Sequence, residues 1–103
     1  MRSINVSDLK RRIDKKDIVL LDVREHHELK IASIEGCVHI PMVEIPNRFL
    51  ELNLNKDIAV MCHSGVRSLQ VCFFLKSKNF SVLNVDGGIN MWSVKIDKKI
   101  RRY

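Results

Sequence analysis

The sequence contains few of the residues that mark fibrous, disordered or multidomain proteins. Glycine occurs 4 times and proline 2 times in 103 residues, and there is no internal repeat, low-complexity tract or linker rich in these residues. With 46% hydrophobic and 29% charged residues, the composition is that of a globular protein. Because so short a chain can bury one core but not two, we expect a single domain covering residues 1–103.

Long apolar segments are also absent. The basic residue near the start is followed by no apolar stretch of the kind found in secretory signals. No apolar run is long enough to cross a bilayer. We therefore expect a cytoplasmic protein without membrane association. Its three cysteines are expected to be reduced in that compartment, and their odd number argues against a disulfide framework.

Aromatic residues make up only 6% of the chain, and none is interleaved among the basic pairs of a sequence whose formal net charge is +6. A stacking platform for bases is therefore missing, and we expect no nucleic-acid partner. A basic surface instead attracts anions, either small substrates or an acidic protein. The basic tail at residues 95–103 has little periodicity, so it either packs as an arm or stays mobile.

Three short apolar runs indicate buried strands. Residues 18–21, 58–61 and 82–85 do not alternate with polar residues, which is typical of parallel strands buried on both faces. A weaker strand is expected at residues 37–40, and residues 4–6 are a candidate edge strand.

Amphipathic stretches between these runs predict helices. They are expected near residues 8–15, 25–31, 45–52, 66–78 and 89–93, the first with Ser7 as its N-cap. The helix at 66–78 carries a wide apolar face that includes Leu69 and Phe73, so it should be largely buried. Alternating strands and helices predict an α/β fold, with a central parallel sheet of about four to five strands and helices on both faces.

The segment CHSGVRS, residues 62–68, connects a predicted central strand to the strongest predicted helix. Cys62 would therefore lie at the carboxyl end of a parallel strand, where α/β folds bind ligands. It would also lie at a helix N-terminus, whose free N–H groups and dipole favour an anion. Gly65 allows the loop to curl, and Arg67 adds positive charge. These features lower a thiol pKa and favour a nucleophilic thiolate, whereas the alternative is a buried structural cysteine.

Four segments of the chain carry recognisable motifs: DVREHHE (22–28), IEGCVHIP (34–41), CHSGVRS (62–68) and DGGINMW (86–92). Together, and in this order, they resemble the single-domain rhodaneses of the rhodanese-like sulfurtransferase family. The resemblance implies a rhodanese-like fold and an enzyme of the thiosulfate sulfurtransferase type. Such an enzyme moves sulfane sulfur from a donor such as thiosulfate to cyanide or a thiol, through a persulfide on Cys62.

The resemblance also implies which residues surround the transferred sulfur, mainly through their backbone N–H groups: His63, Ser64, Gly65, Val66, Arg67 and Ser68. Four residues separate Cys62 from Arg67. That is the length found in the sulfurtransferases of this fold, whereas the related phosphatases and arsenate reductases have five and a wider cradle. Phosphatase activity is therefore disfavoured.

The chain departs from the family pattern at several positions. Glu35 and Cys37 stand where a proline and an alanine are usual, Leu29 replaces an aromatic residue, and the pair at 32–33 replaces Gly-His. None of these changes removes the nucleophile, but no role can be assigned to the missing histidine.

Several side chains of the loop have two interpretations each. Arg67 either neutralises an anionic substrate or pairs with an acidic residue such as Glu28. His63 either donates to the sulfur or substrate, or points to solvent. Ser68 either bonds the sulfur or serves the first turn of the helix.

Residues outside the loop are interpreted as structural. We expect an ion pair or backbone contact for Asp22 and Arg24, and packing roles for Cys37, Cys72 and Trp92. No group of residues has the spacing of a metal site, and we expect neither metal nor cofactor. A second hypothesis of a different class is a sulfur-relay or protein-binding module with little turnover of free thiosulfate, docking an acidic partner through the basic surface.

Overall fold

The computed structural model describes all residues 1–103. Its elements, in chain order, are β1 (Ser3–Ile4), α1 (Val6–Asp14), β2 (Ile18–Asp22), α2 (His26–Ile31), β3 (Val38–His39), α3 (Ile45–Arg48), β4 (Asp57–Met61), α4 (Val66–Ser77), β5 (Val82–Val85) and α5 (Gly88–Lys95). Short 3₁₀ turns at Met42–Glu44 and Phe49–Glu51 flank α3. None of the helices is long and apolar enough to cross a bilayer.

The five strands form one parallel sheet in the order β1-β5-β4-β2-β3. This confirms the predicted α/β architecture and its central strands. Asp22 is in register with Met61, and Val60 with Asn84. The carboxyl ends of β2, β4 and β5 therefore reach the same edge of the sheet, where the loop after β4 begins.

The single domain has an apolar cluster on each face of its one sheet, which explains why the central strands contain continuous apolar runs. Ala59 and Met61 of β4 pack with α1 and α5, whereas Val60 and Cys62 pack with α3 and α4. Each cluster contains 13 buried residues, so the expectation of only one core is corrected: the sheet divides the buried apolar residues into two layers. Full burial of an aliphatic side chain contributes about 1.5–3 kcal/mol, so a strand with two buried faces favours apolar residues at nearly every position.

The prediction that α4 is buried over a wide face is wrong. Leu69 is 37% exposed and Phe73 is 58% exposed, whereas Val71, Cys72 and Leu75 are buried. Because α4 packs against one side of the sheet, only the stripe that faces the sheet is covered.

The prediction of Ser7 as the N-cap of the first helix is also wrong. The helix begins at Val6, and the side chain of Asn5 accepts a hydrogen bond from the backbone N–H of Asp8 at 2.8 Å. Asn5 has the extended backbone of an N-cap residue. Its side chain accepts a hydrogen bond from an N–H group in the first turn that has no partner within the helix. At the other end of the chain, α5 continues to Lys95, two residues beyond the predicted end.

Candidate active site

The sulfur of Cys62 lies at the carboxyl edge of the sheet, beneath the loop between β4 and α4. The residue is 1% exposed. The backbone N–H of Gly65 donates to Sγ at 3.1 Å, and the Ser68 hydroxyl lies 3.3 Å from it. Gly65 is the N-cap of α4 and has a φ of 110°, which glycine adopts without strain. This conformation lets the loop turn back so that the N–H of Gly65 reaches the sulfur.

Opposing effects act on the pKa of the Cys62 thiol. Burial raises it, whereas hydrogen bonds from the Ser68 hydroxyl and from the backbone N–H groups of Ser68, Gly65 and Ser64 lower it. The hydrogen bonds together outweigh burial, and the pKa lies below the ordinary thiol value. The loop therefore favours a thiolate through hydrogen bonds from the Ser68 hydroxyl and from three backbone N–H groups.

Arg67 does not point a free charge at the sulfur, because its guanidinium is bound to Glu28. The two nitrogens Nη1 and Nη2 lie 2.6 and 2.9 Å from the two carboxylate oxygens. Hydrogen bonding to Arg67 lowers the pKa of Glu28 to about 2, against the opposing effect of burial. The ion pair joins the first turn of α4 to α2. It is one of the two interpretations of Arg67 given by the sequence analysis. The arginine side chain remains 33% exposed.

Tyr103 joins this cluster, although no pattern in the sequence indicated a role for it. Its hydroxyl donates to Glu28 at 2.7 Å and accepts from the guanidinium of Arg24 at 2.8 Å. Its ring stacks on the imidazole of His63, with ring centroids 4.1 Å apart and planes 10° from parallel. The tail therefore packs as an arm against the loop, and His63 contacts the arm instead of pointing to open solvent.

Beneath Tyr103, the side chains of Asp22 and Arg24 form a fully buried ion pair. The shortest distance between them is 2.7 Å, and both side chains are 0% exposed. Arg24 also donates to the backbone carbonyl of Ala32 at 2.8 Å. The structural interpretation of the two residues is therefore confirmed, and the pair supports the edge of the site from below.

The turn before α5 holds the loop from the opposite side. The backbone N–H groups of Ile89 and Asn90 donate to the carbonyl oxygens of Cys62 and His63 at 2.9 and 3.1 Å. A Cβ on Gly88 would lie 2.5 Å from the carbonyl oxygen of His63 and closer still to that of Cys62. This close approach explains why the segment that resembles the family's GGxxxW motif carries glycine here.

The other predicted site residues occupy the rim of the loop. The side chains of Ser64 and Val66 are exposed, so only their backbone can face the sulfur, whereas Ser68 is fully buried beside it. Within the loop, Ser64, Gly65 and Ser68 have hydrogen bonds to the sulfur, whereas a binding role for His63, Val66 and Arg67 stays a prediction. Asn84 of β5, which the sequence did not single out, donates from Nδ2 to the carbonyl of Gly65 at 3.0 Å and accepts from Ser68.

The remaining cysteines occupy packing positions. Cys72 is fully buried on α4, and burial raises the pKa of its thiol to about 12. Cys37 is half-buried, and burial also raises the pKa of its thiol. Trp92 is buried in the core beneath α5. These positions agree with the structural roles predicted for the three residues.

One cluster near the site resembles a metal-ligand set but fits a metal poorly. Ligand atoms of Glu25, His27 and Glu28 lie within 4.8 Å of one another. Both carboxylate oxygens of Glu28 are already bound by Arg67, and one of them also by Tyr103. The carboxylate is therefore satisfied by protein donors, and the other two side chains are exposed.

The parallel sheet and the cysteine-bearing loop between a central strand and a helix place the chain among the α/β proteins whose functional loop lies at the carboxyl edge of the sheet. Within that class, the model of the rhodanese-like domain matches residues 5–95, and the chain belongs to this family.

The sequences of individual relatives align with this chain over nearly its whole length. The chain is 36% identical to the putative sulfurtransferase YtwF of Bacillus subtilis (strain 168), over 89% of this chain and 90% of the relative. It is 38% identical to the putative sulfur carrier protein YrkF of the same organism, over 91% of this chain and 52% of the relative. The crystal structure of a rhodanese-related protein from Thermoplasma volcanium superposes with a TM-score of 0.89 at 34% identity, and each chain is covered completely.

Proposed function

We propose that the chain is a sulfurtransferase that carries sulfane sulfur as a persulfide on Cys62. The observation that carries the proposal is the environment of Sγ, which is buried against the N–H of Gly65 and the hydroxyl of Ser68 in a loop at the carboxyl edge of the sheet. The names of its relatives, sulfurtransferase and sulfur carrier, support the same chemistry.

In the first half-reaction the Cys62 thiolate attacks the sulfane sulfur of a donor such as thiosulfate. A new S–S bond forms, the S–S bond of thiosulfate breaks, and sulfite leaves with the bonding electron pair. The negative charge then lies on the terminal sulfur of the persulfide. The backbone N–H groups of Ser64, Gly65 and Ser68 that lower the pKa of Cys62 lie next to this position, so we expect the loop that stabilises the thiolate to stabilise the persulfide as well.

In the second half-reaction an acceptor, cyanide or a thiolate, attacks the terminal sulfur. The acceptor gains a bond to that sulfur, the persulfide S–S bond breaks, and the electron pair returns to Cys62 as a thiolate. No external oxidant or reductant is consumed. Because the two half-reactions are separate displacements on one sulfur, ping-pong kinetics are expected.

The direct test is the intact mass of the protein after incubation with thiosulfate. We expect a gain of one sulfur atom that is lost on addition of cyanide, with release of thiocyanate. Cys62→Ser should show no gain, whereas Cys37→Ser, which removes a half-buried thiol outside the loop, should gain sulfur like the wild type. A gain in Cys62→Ser, or none in the wild type, would contradict the proposal.

A sulfur-relay module is the second candidate function. The net charge of +6 favours an acidic protein as donor or acceptor, and one relative is named a sulfur carrier. In that case the persulfide forms, but turnover with free thiosulfate and cyanide stays slow. Fast turnover that saturates at low thiosulfate concentration without a partner protein would exclude this alternative. For both candidate functions, a location in the reducing cytoplasm stays a prediction.

A further inference from the structure

The hydroxyl of Ser68 lies between two groups that can both accept its proton. Its Oγ is 3.3 Å from Sγ of Cys62 and 2.5 Å from Oδ1 of Asn84, and Ser68 is fully buried. Water therefore does not compete for the proton. The three side chains form a buried line from the reactive sulfur to strand β5.

The backbone fixes which end of the Asn84 amide faces Ser68. Nδ2 donates to the carbonyl oxygen of Gly65 at 3.0 Å. If the amide were flipped, two oxygens would face each other across that distance, so Oδ1 must point to Ser68. Oδ1 can only accept, and the short contact therefore places the Ser68 proton on the side of Asn84.

A serine hydroxyl has one proton to donate. While that proton is directed to Asn84, Ser68 presents lone pairs to the sulfur. This arrangement suits a Cys62 thiol, which can donate its own proton to Ser68, but not a thiolate, which needs a donor. For Ser68 to stabilise the thiolate, its proton must turn from Asn84 to Sγ.

The persulfide changes this competition again. Once sulfur is transferred, Sγ becomes an uncharged sulfur bonded to another sulfur, which is a weak acceptor, and the charge lies on the terminal atom. The Ser68 proton then has no strong acceptor at Sγ and returns to Asn84.

From this geometry we propose that Asn84 is a positioning residue that competes with the Cys62 thiolate for the Ser68 proton. It thereby disfavours the empty thiolate relative to the persulfide. The part that concerns the persulfide rests on the proposed function, whereas the competition for the proton does not.

The experiment measures the pKa of Cys62 in four proteins: wild type, Asn84→Ala, Ser68→Ala and the double variant. The readout is the pH dependence of alkylation by iodoacetamide, followed by mass on the peptide that contains Cys62, so that the other cysteines do not contribute. Ser68→Ala should raise the pKa, because the thiolate loses a donor. Asn84→Ala should lower the pKa of Cys62 by about 0.5–1 when the Ser68 hydroxyl is present. A pKa change of that size corresponds to the net free energy of one neutral hydrogen bond, for which the thiolate no longer has to compete.

The double variant separates this role from a structural one. If Asn84 acts only by holding the Gly65 carbonyl, Asn84→Ala will shift the pKa equally with and without Ser68, and the proposal is overturned. If it acts through the proton, the lowering will be present only when Ser68 is present. Asn84→Leu, which has nearly the shape of asparagine, repeats the comparison with the cavity filled and covers the case in which the alanine variant does not fold.

A second readout addresses the persulfide. In a buffer with a fixed ratio of thiosulfate to sulfite, the ratio of persulfide to unmodified Cys62 is measured by intact mass. Asn84→Ala should reduce this ratio about threefold to tenfold at a pH where the thiolate dominates, and should not change it in the Ser68→Ala background. An unchanged ratio in both backgrounds would overturn the preference for the persulfide. If no protein forms a persulfide, the proposed function fails, while the alkylation experiment still decides the competition for the proton.

Discussion

Replacement of Glu28 by glutamine removes the charge that joins α2, the first turn of α4 and the C-terminal arm. The carboxylate is buried and accepts from Arg67 at 2.6 and 2.9 Å and from Tyr103 at 2.7 Å. Its pKa is lowered to about 2, chiefly by the hydrogen bond to Arg67. A carboxyl group with a lowered pKa in the folded state stabilises the fold at pH values above its ordinary pKa. That contribution is lost as the pH falls through the folded-state value.

The size of the effect follows from the two pKa values. The pKa of Glu28 falls from its ordinary value of 4.5 to about 2 in the folded protein. This difference corresponds to a contribution of about 3 kcal/mol to the free energy of unfolding at neutral pH. Because the Arg67 side chain is 33% exposed, solvent screening reduces this figure, and we expect about 2 kcal/mol. In urea unfolding at pH 7, Glu28→Gln should therefore have a free energy of unfolding lower than that of the wild type by about 2 kcal/mol.

The pH dependence distinguishes lost charge from lost packing. At pH 3 the unfolded wild-type chain is largely protonated at this position, so less than half of the difference between the two proteins should remain. Glu51→Gln is a matched control, because Glu51 pairs with Arg48 at 2.9 Å on the exposed surface, where such pairs contribute little. An equal loss of stability in Glu28→Gln at pH 7 and pH 3 would refute the electrostatic explanation.

Further outcomes are expected for two glycines, for Tyr103 and for the buried cysteines. Gly88→Ala should destabilise the protein by more than about 2 kcal/mol and reduce persulfide formation, because its Cβ would collide with the loop carbonyls. Gly36→Ala, also at positive φ but with open space around the Cβ, should cost about 1 kcal/mol without loss of activity. Tyr103→Phe should lower the free energy of unfolding by about 1–2 kcal/mol in urea titrations, since Arg24 and Glu28, both buried, each lose one hydrogen bond. Iodoacetamide at pH 7 should modify Cys62 but not Cys72, whose thiol pKa is about 12, until the protein unfolds; peptide masses report both.

The sequence predicts the sheet well because each central strand is packed on both faces and therefore consists mostly of apolar residues. It predicts less about α4, since periodicity indicates that a helix has an apolar face but not how much of that face the sheet covers. Leu69 and Phe73 extend the apolar stripe beyond the contact and remain exposed.

The loop could be predicted from its own residues, whereas the partners of the loop could not. Asn84 stands in an apolar run and looks like an isolated polar residue in a strand. Its contact with Ser68 depends on the register that sets Val60 opposite Asn84, which no local pattern specifies. Tyr103 lies in a tail without periodicity, so nothing in the sequence indicated that it would stack on His63.

The way the loop stabilises charge has a consequence for the reaction. The positive charge of Arg67 is paired with Glu28, and the main effects that lower the pKa of Cys62 are hydrogen bonds from the Ser68 hydroxyl and from backbone N–H groups. Dipoles that converge on a volume can serve a charge at either of two positions within it, whereas an ion pair favours one. In the proposed reaction the negative charge moves from Sγ to the terminal sulfur and back in every cycle. N–H donors suit that movement because the same groups can stabilise the negative charge at both positions.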